Sequence, residues 1–183
     1  FEEFLLTFDN VEPEMFWQEI EELLDVEMFL EHAALNMLCS VGDLYSYGSS
    51  KSWDPILTNE VFENPMLYQN PTTDKFVILP WDANSALKNP RVEILPEPWT
   101  KSHAPGYILE NSEWRNLYIE KMNAYLDTLF TIENMTVQIE KIYQETKEAM
   151  VRHNTRWEND YGFYDLEQEK AVLLNFVEQR INY

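Results

Sequence analysis

The segment KFVILPWDANSAL, residues 75–87, runs an apolar strand directly into a proline, a tryptophan and an aspartate. Residues 76–79 are apolar without alternation, which is typical of a strand that is buried on both faces. Pro80 fixes its own φ and restricts the residue before it, so the strand should end at a stiff point. Asp82 and Asn84 follow at once, and their side chains carry the oxygen donors that Mg²⁺ prefers in proteins. We therefore expect both residues at the rim of a buried strand.

The sequence around this strand predicts a small hairpin among helices. The hairpin pairs residues 65–69 with 75–80 through the turn NPTTD. Apolar residues recur at helical spacing on both sides of it, and Asp25, Ser112 and Asp165 stand where N-caps are expected. The predicted helices cover residues 14–24, 26–39, 112–130, 135–150 and 165–181. The fold class is therefore α+β and mostly helical, with one domain over residues 1–183.

Composition excludes several classes of function. The chain has 183 residues with 13 Lys and Arg against 33 Asp and Glu, so its net charge is −20. Such a surface repels phosphate backbones, which argues against nucleic acid and favours cations or basic proteins as partners. No stretch reaches the ~20 apolar residues of a membrane span. A single cysteine, Cys39, rules out an intrachain disulfide and a zinc site built on several cysteines.

Two aspartates could carry chemistry, and each also has a purely structural interpretation. Asp82, after the strand, suits a Mg²⁺ site, although an aspartate in such a place is more often a helix cap or turn former. Asp43 follows Gly42 just beyond the second helix, where a sharp bend is allowed. It is either a turn residue or a general base that orients a hydroxyl nucleophile.

These segments in this order resemble the CotH kinase family, atypical protein kinases first known from bacterial spore coats. The resemblance rests on VEMFLEHAALNMLCSVGDLYSY at 26–47 and on NPMLYQNPTTDKFVILPWDANSAL at 64–87, where the Leu-Tyr strand and the Pro-Trp-Asp strand end are specific. The late segments NSEWRNLYIEKMNAYL and LEQEKAVLLNFVEQRI resemble two helices of the family. The likeness spans residues 26–183.

The resemblance implies a kinase C-lobe-like helical domain that uses ATP and Mg²⁺ to phosphorylate Ser or Thr hydroxyls of a protein substrate, with basic proteins and coat proteins as candidates. By this resemblance Asp82 is the metal ligand and Asp43 accepts the proton of the attacking hydroxyl. Asn64 and Asn84 are implied as supporting residues that bind the cofactor.

The sequence departs from a complete kinase at its N-terminal end. A kinase needs a strand Lys to hold the ATP phosphates and a Glu to pair with it, whereas residues 1–25 contain no Lys or Arg. We therefore expect this chain to be the C-terminal lobe of a longer kinase-like protein, or a lobe derived from a degenerate one, with the nucleotide lobe absent and the chain inactive alone. The alternatives are a non-catalytic acidic coat or adhesion module and a plain acidic helical domain. The sequence leaves the compartment open among spore coat, cytoplasm and secretion.

Overall fold

A computed structural model describes residues 13–41, 66–80, 83–84, 86–94, 109–161 and 163–183. These residues form helices and one two-stranded antiparallel sheet, so the predicted mostly helical α+β class is confirmed. The elements are α1 Pro13–Leu23, α2 Val26–Leu38, β1 Met66–Gln69, β2 Phe76–Leu79, α3 Ser112–Thr128, α4 Ile132–Tyr161 and α5 Leu166–Asn182.

The chain divides into two compact units, and the boundary falls within α3. Unit 1 comprises residues 1–86 and 92–123, and unit 2 comprises residues 87–91 and 124–183. The short segment 87–91, which directly follows the Asp82–Asn84 region in sequence, therefore belongs with the two last helices. One domain over residues 1–183 stays a prediction.

The first two helices build the core of unit 1. Phe16 and Ile20 are completely buried and lie four residues apart, on one face of α1, and Leu24, which directly follows the helix, is almost completely buried. Asp25 caps α2, since its Oδ1 accepts a hydrogen bond from the backbone N–H of Met28 at 3.0 Å. The predicted cap at Asp25 is confirmed.

The hairpin forms in the predicted place, with strands one residue shorter at most ends. Its register pairs Met66 with Leu79 and Gln69 with Phe76. In the turn, the Asn70 side chain accepts from the backbone N–H of Thr72 at 3.0 Å, which is the local bond that makes asparagine a good turn residue.

Strand β2 is the buried member of the hairpin. Phe76, Val77 and Ile78 are all buried, whereas β1 is mostly exposed. The Phe76 carbonyl accepts from the backbone N–H of Asp25 at 2.9 Å, and β2 packs against α2. The apolar residues of β2 are therefore buried, as expected from their lack of alternation with polar residues.

Helix α3 begins with a different cap from the predicted one. Asn111 Oδ1 accepts from the N–H groups of Glu113 at 2.9 Å and Trp114 at 3.3 Å, so Asn111 is the cap and Ser112 is the first helical residue. Asparagine and serine cap about equally well, so the choice between adjacent candidates cannot be made from residue type. The predicted cap at Ser112 is wrong by one residue.

In unit 2, α4 is nearly twice as long as the predicted 135–150 segment. It starts at Ile132, where the Thr131 hydroxyl accepts from the N–H of Asn134 at 3.1 Å, and it runs to Tyr161. Neither Gly nor Pro interrupts residues 151–161, so nothing in the sequence stops the helix earlier. Ile139 is buried on this helix, whereas Ile142, three residues later, is 58% exposed.

Helix α5 confirms its predicted cap and packs along α4. Asp165 Oδ1 accepts from the N–H groups of Glu167 and Gln168, both at 3.1 Å. The connection between the helices is fixed by Asn154, whose side chain donates to the Tyr164 carbonyl at 2.8 Å and accepts from the Tyr164 N–H at 3.1 Å. Within the described part of the chain, no helix is long and apolar enough to cross a membrane.

Candidate functional site

The buried strand β2 emerges at its C-terminal end, as the sequence predicts. Burial stops at Leu79, which is 39% exposed, and Pro80 is also exposed. Trp81 and Asp82 follow and lie outside the described residues. The structure thus shows that the chain reaches the surface at Leu79 and Pro80, shortly before the candidate metal ligand Asp82 in sequence.

Asn84 is the member of the predicted site that the structure describes. It is exposed and lies in a turn that the backbone N–H of Ala86 closes by donating to the Ala83 carbonyl at 3.1 Å. An exposed amide oxygen fits the ligand chemistry of Mg²⁺, which commonly combines one or two carboxylates with neutral oxygens and water. Asp43, Asn64 and Asp82 fall outside the described residues, so the roles that the resemblance implies for them stay predictions.

The segment after Asn84 has a defined conformation of its own. Leu87 has a φ of 60°, in the left-handed region that side chains with a Cβ rarely enter. Asn89 Oδ1 accepts from the N–H of Arg91 at 3.0 Å, and the Pro90 carbonyl accepts from Arg180 Nη1 at 3.1 Å. Arg180 is 2% exposed.

Sequence reasoning missed this role of Arg180, although a signal for it exists. Arg180 stands four residues after Phe176 and three after Val177, both of which are buried on α5. Residues with that spacing share one helix face, so Arg180 is a charged residue on an apolar stripe. A charge in such a position requires hydrogen-bond partners, and one of them here is the backbone carbonyl of Pro90, from a distant part of the chain.

In unit 1, a lysine on α3 joins two glutamates on α2. Lys121 Nζ lies 2.6 Å from Glu27 Oε1 and 2.6 Å from Glu31 Oε1, and its side chain is 21% exposed. The hydrogen bonds to Glu27 and Glu31 raise the pKa of Lys121 above its ordinary value. Because both carboxylates occupy this ammonium group and it lies on a helix, Lys121 does not match the strand Lys that holds ATP phosphates in kinases.

Within the described ranges, the histidines and the cysteine do not supply a second candidate centre. His32 on α2 is half-buried, and burial lowers its pKa to about 4. Among the residues that the structure describes, no three His, Cys, Asp or Glu side chains are grouped closely enough to hold a metal ion. The candidate metal site therefore rests on the oxygen donors of the Asp82–Asn84 region.

The comparison with protein families agrees with the resemblance that the sequence suggests. A comparison with curated protein sequences gives no match to this chain. The family model described as CotH kinase protein matches residues 1–183, which extends the resemblance from residues 26–183 to the first 25 residues as well. The chain belongs to the CotH kinase family.

Proposed function

We propose that this chain is the C-terminal lobe of a protein kinase that transfers phosphate from ATP to Ser or Thr hydroxyls of a protein. The observation that carries the proposal is a family match over the whole chain, combined with the emergence of buried strand β2 just before Pro-Trp-Asp. A kinase places a metal-binding aspartate on such a defined element, because phosphoryl transfer depends on positioning and on charge stabilisation.

The proposal assigns a role to each candidate residue. Asp82 would hold Mg²⁺ with help from Asn84 and Asn64, and Asp43 would accept the proton of the attacking hydroxyl. Bound Mg²⁺ would neutralise charge on the phosphate oxygens. Since Asn84 is exposed in the described turn, its amide oxygen is accessible to a ligand from solvent.

The substrate class follows from charge. With a net charge of −20, the chain attracts cationic surfaces and repels acidic ones. We propose that the substrate is a basic protein, including a basic coat protein, whose hydroxyl lies near Lys or Arg residues. Nucleic acid is not a partner in this proposal.

A phosphorylation assay tests the catalytic role. With Mg²⁺, labelled ATP and a lysine-rich protein, the 183-residue chain should bind ATP weakly and transfer no phosphate, because its first 25 residues contain no Lys that could hold the ATP phosphates. The longer protein that the proposal requires should transfer phosphate, and Asp82→Ala should reduce its rate at least about 100-fold. Robust transfer by the 183-residue chain would refute the division into lobes. No transfer by the longer protein would refute the kinase role.

A non-catalytic acidic coat or adhesion module is the second candidate. It is favoured by one observation, namely that no Lys or Arg precedes Lys51. Melting curves separate the two candidates through Asp82→Ala. If Asp82 is a ligand, the parent should melt higher with Mg²⁺, and the variant should lose that increase while melting normally without metal.

Asp25→Ala is the matched control for a structural aspartate. Asp25 is an established cap, so this variant should lose about 1 kcal/mol without metal and keep the Mg²⁺ response. If Asp82→Ala behaves like Asp25→Ala, Asp82 is a cap and the metal-site assignment fails.

A further inference from the structure

The connection between α4 and α5 borders a cavity of about 350 Å³, and every residue of its lining belongs to unit 2. This volume lies within the range of about 300–1,000 Å³ that is usual for ligand sites. Large apolar side chains of the lining are exposed, namely Val151, Phe163 and Tyr164, of which Phe163 is 64% exposed. A cavity bordered by exposed aromatic and aliphatic side chains is typical of a binding site.

Neighbouring side chains hold the aromatic wall of this cavity in place. Asn154 is buried, and its side chain donates to the Tyr164 carbonyl at 2.8 Å and accepts from the Tyr164 N–H at 3.1 Å. The ring of Tyr164 also lies edge-on to the ring of His153, with their centroids 5.5 Å apart. The backbone and the ring of Tyr164 are therefore both held before a ligand arrives, which reduces the entropy that is lost on binding.

Two carboxylates line the cavity, and they differ in how far their oxygens are already bonded. Glu167 Oε1 accepts from the Tyr143 hydroxyl, and Glu167 Oε2 pairs with Lys170 at 3.0 Å. In contrast, Oδ1 of Asp165 accepts both bonds of the α5 cap, and the hydrogen bonds within the described residues leave its Oδ2 for a ligand. Asp165 thus offers a negative charge next to Tyr164.

A lysine also lines the cavity, but its charge acts at the end where Glu167 lies. Lys147 Nζ donates to Gln144 Oε1. After the hydrogen bonds that Glu167 accepts from its two partners, the charge of Lys147 is a further cause that lowers the pKa of Glu167. Asn154, which holds the aromatic wall, lies seven residues farther along α4, about 10 Å along the helix axis. The negative charge of Asp165 therefore belongs to the aromatic end of the cavity, and the positive charge of Lys147 to the other end.

The same two helices show how such groups receive a cation. Lys170 Nζ lies 3.9 Å from the centroid of the Tyr143 ring and pairs with Glu167. An aromatic face combined with a carboxylate attracts a cationic side chain through both the ring quadrupole and the opposite charge. The cation–ring contacts of the described residues do not include Phe163 or Tyr164, which have the same combination beside Asp165.

We propose that this cavity is a docking site for a basic protein segment, one Lys or Arg side chain of which packs on Phe163 and Tyr164 and pairs with Asp165. The aliphatic stem of that side chain covers apolar surface, while its charge meets the carboxylate and the aromatic faces. Charge complementarity selects this occupant, since the chain carries a net charge of −20. The inference rests on the proposed function for the identity of the partner as a substrate, and it names where that substrate binds.

Peptide binding tests the site without any phosphoryl transfer. The probe is a labelled peptide of alternating Arg and Gly that lacks Ser, Thr and Tyr, and its affinity is measured by fluorescence polarisation. Phe163→Ala and Asp165→Asn should each weaken binding about two- to fivefold, which is the size expected for an exposed cation–ring contact or ion pair. Asp165→Asn keeps the cap of α5, because asparagine caps as well as aspartate. If Phe163→Ala does not fold, Asp165→Asn alone decides the result.

Two control variants in the same unit match these changes. Asp127→Asn removes one exposed carboxylate, and Val137→Ala trims one exposed apolar side chain, and neither residue lines the cavity. Both controls should bind the peptide within about 1.5-fold of the parent, because one charge in a net charge of −20 changes the overall field little. If the two site variants bind like the two controls, the attraction belongs to the acidic surface in general and the proposal is overturned.

Two further measurements test the other occupants. An uncharged peptide of alternating norleucine and Gly should bind more weakly than the Arg peptide, and equal or tighter binding would assign the cavity to an apolar partner and overturn the proposal. Sedimentation should show no self-association that Phe163→Ala abolishes, since that result would assign the cavity to a second copy of this chain and also overturn the proposal.

Amide chemical shifts separate this inference from the kinase role. The Arg peptide should shift the amides of residues 163–167 more than other amides of unit 2. If these shifts are seen and the longer protein transfers no phosphate, the docking site stands and the kinase role fails. If the longer protein transfers phosphate and the peptide leaves these amides unshifted, the docking site alone fails.

Discussion

At the scale of single residues, His32 shows how burial sets protonation. Its ring lies on α2, and the side-chain Nδ2 of Asn36, four residues later, is 2.9 Å from His32 Nδ1. The same Nδ2 is 3.1 Å from His32 Nε2, and because an amide nitrogen only donates, the unprotonated nitrogen of the neutral ring is the one that accepts from it. Burial lowers the pKa of His32 from 6.5 to about 4, which keeps the ring neutral at physiological pH.

This histidine should contribute to acid lability. Because its pKa is lower in the folded state, the unfolded chain binds the proton first, and stability falls as the pH drops from about 6.5 to about 4. The full contribution is about 3 kcal/mol. His32→Leu should remove most of that pH dependence in urea unfolding measured at pH 7 and pH 4.5. An NMR titration that places the folded-state pKa of His32 near 6.5 would contradict this prediction.

At the scale of secondary-structure elements, the helix starts carry much of the local specificity. Asp25 and Asp165 cap α2 and α5 through their own side-chain oxygens, and both positions are evident from the sequence. Asn111 caps α3 by the same chemistry one residue upstream of the predicted cap. Asn111 and Ser112 have about equal intrinsic preference for the cap position, so the backbone geometry decides which of them caps the helix.

Paired alanine substitutions at the start of α3 should distinguish the two neighbours. Asn111→Ala should lower the free energy of unfolding by about 1 kcal/mol, because two backbone N–H groups lose their acceptor. Ser112→Ala should change it by less than about 0.5 kcal/mol, since Ser112 is exposed within the first turn and alanine favours helix. Chemical denaturation of both variants measures the difference. A larger loss for Ser112→Ala would show that the cap is misassigned.

At the scale of the whole molecule, the net charge predicts the class of partner. The excess of 33 acidic over 13 basic residues gives a field that extends beyond any single contact. Even the lysine with two close partners, Lys121, is bonded to glutamates and adds no open cationic patch. The chain should therefore associate with cations of many kinds and discriminate among them by local geometry.

Salt dependence tests that expectation. Association with a lysine-rich peptide should weaken at least about tenfold between 50 mM and 500 mM salt, because screening shortens the reach of the charges. Duplex DNA should not bind at either concentration. An acidic peptide of equal length is the control and should not bind. Binding that is independent of salt, or binding to DNA, would contradict the electrostatic prediction.

The sequence by itself determined the features that depend on interactions between residues close together in the chain. The caps Asp25 and Asp165, the hairpin around residues 70–74 and the burial of residues 76–78 all follow from bonds or patterns within a few residues. It also determined the family, because the Pro-Trp-Asp strand end is a contiguous motif. Of the candidate site residues, Asn84 is exposed after the strand as expected, and the placement of Asp43, Asn64 and Asp82 remains a prediction from sequence.

Tertiary structure decided what depends on distant partners. Ile142 sits at a helical spacing that favours burial, yet it is exposed, because periodicity does not say how wide the covered face is. Lys121 meets Glu27 and Glu31 across 94 and 90 residues, and Arg180 meets Pro90 across 90. Neither pairing can be predicted from the charge of the side chain, because many other acidic side chains or backbone carbonyls could accept the same hydrogen bonds. Only the packing of the helices brings these groups together, and the buried Arg180 then requires the carbonyl that it finds.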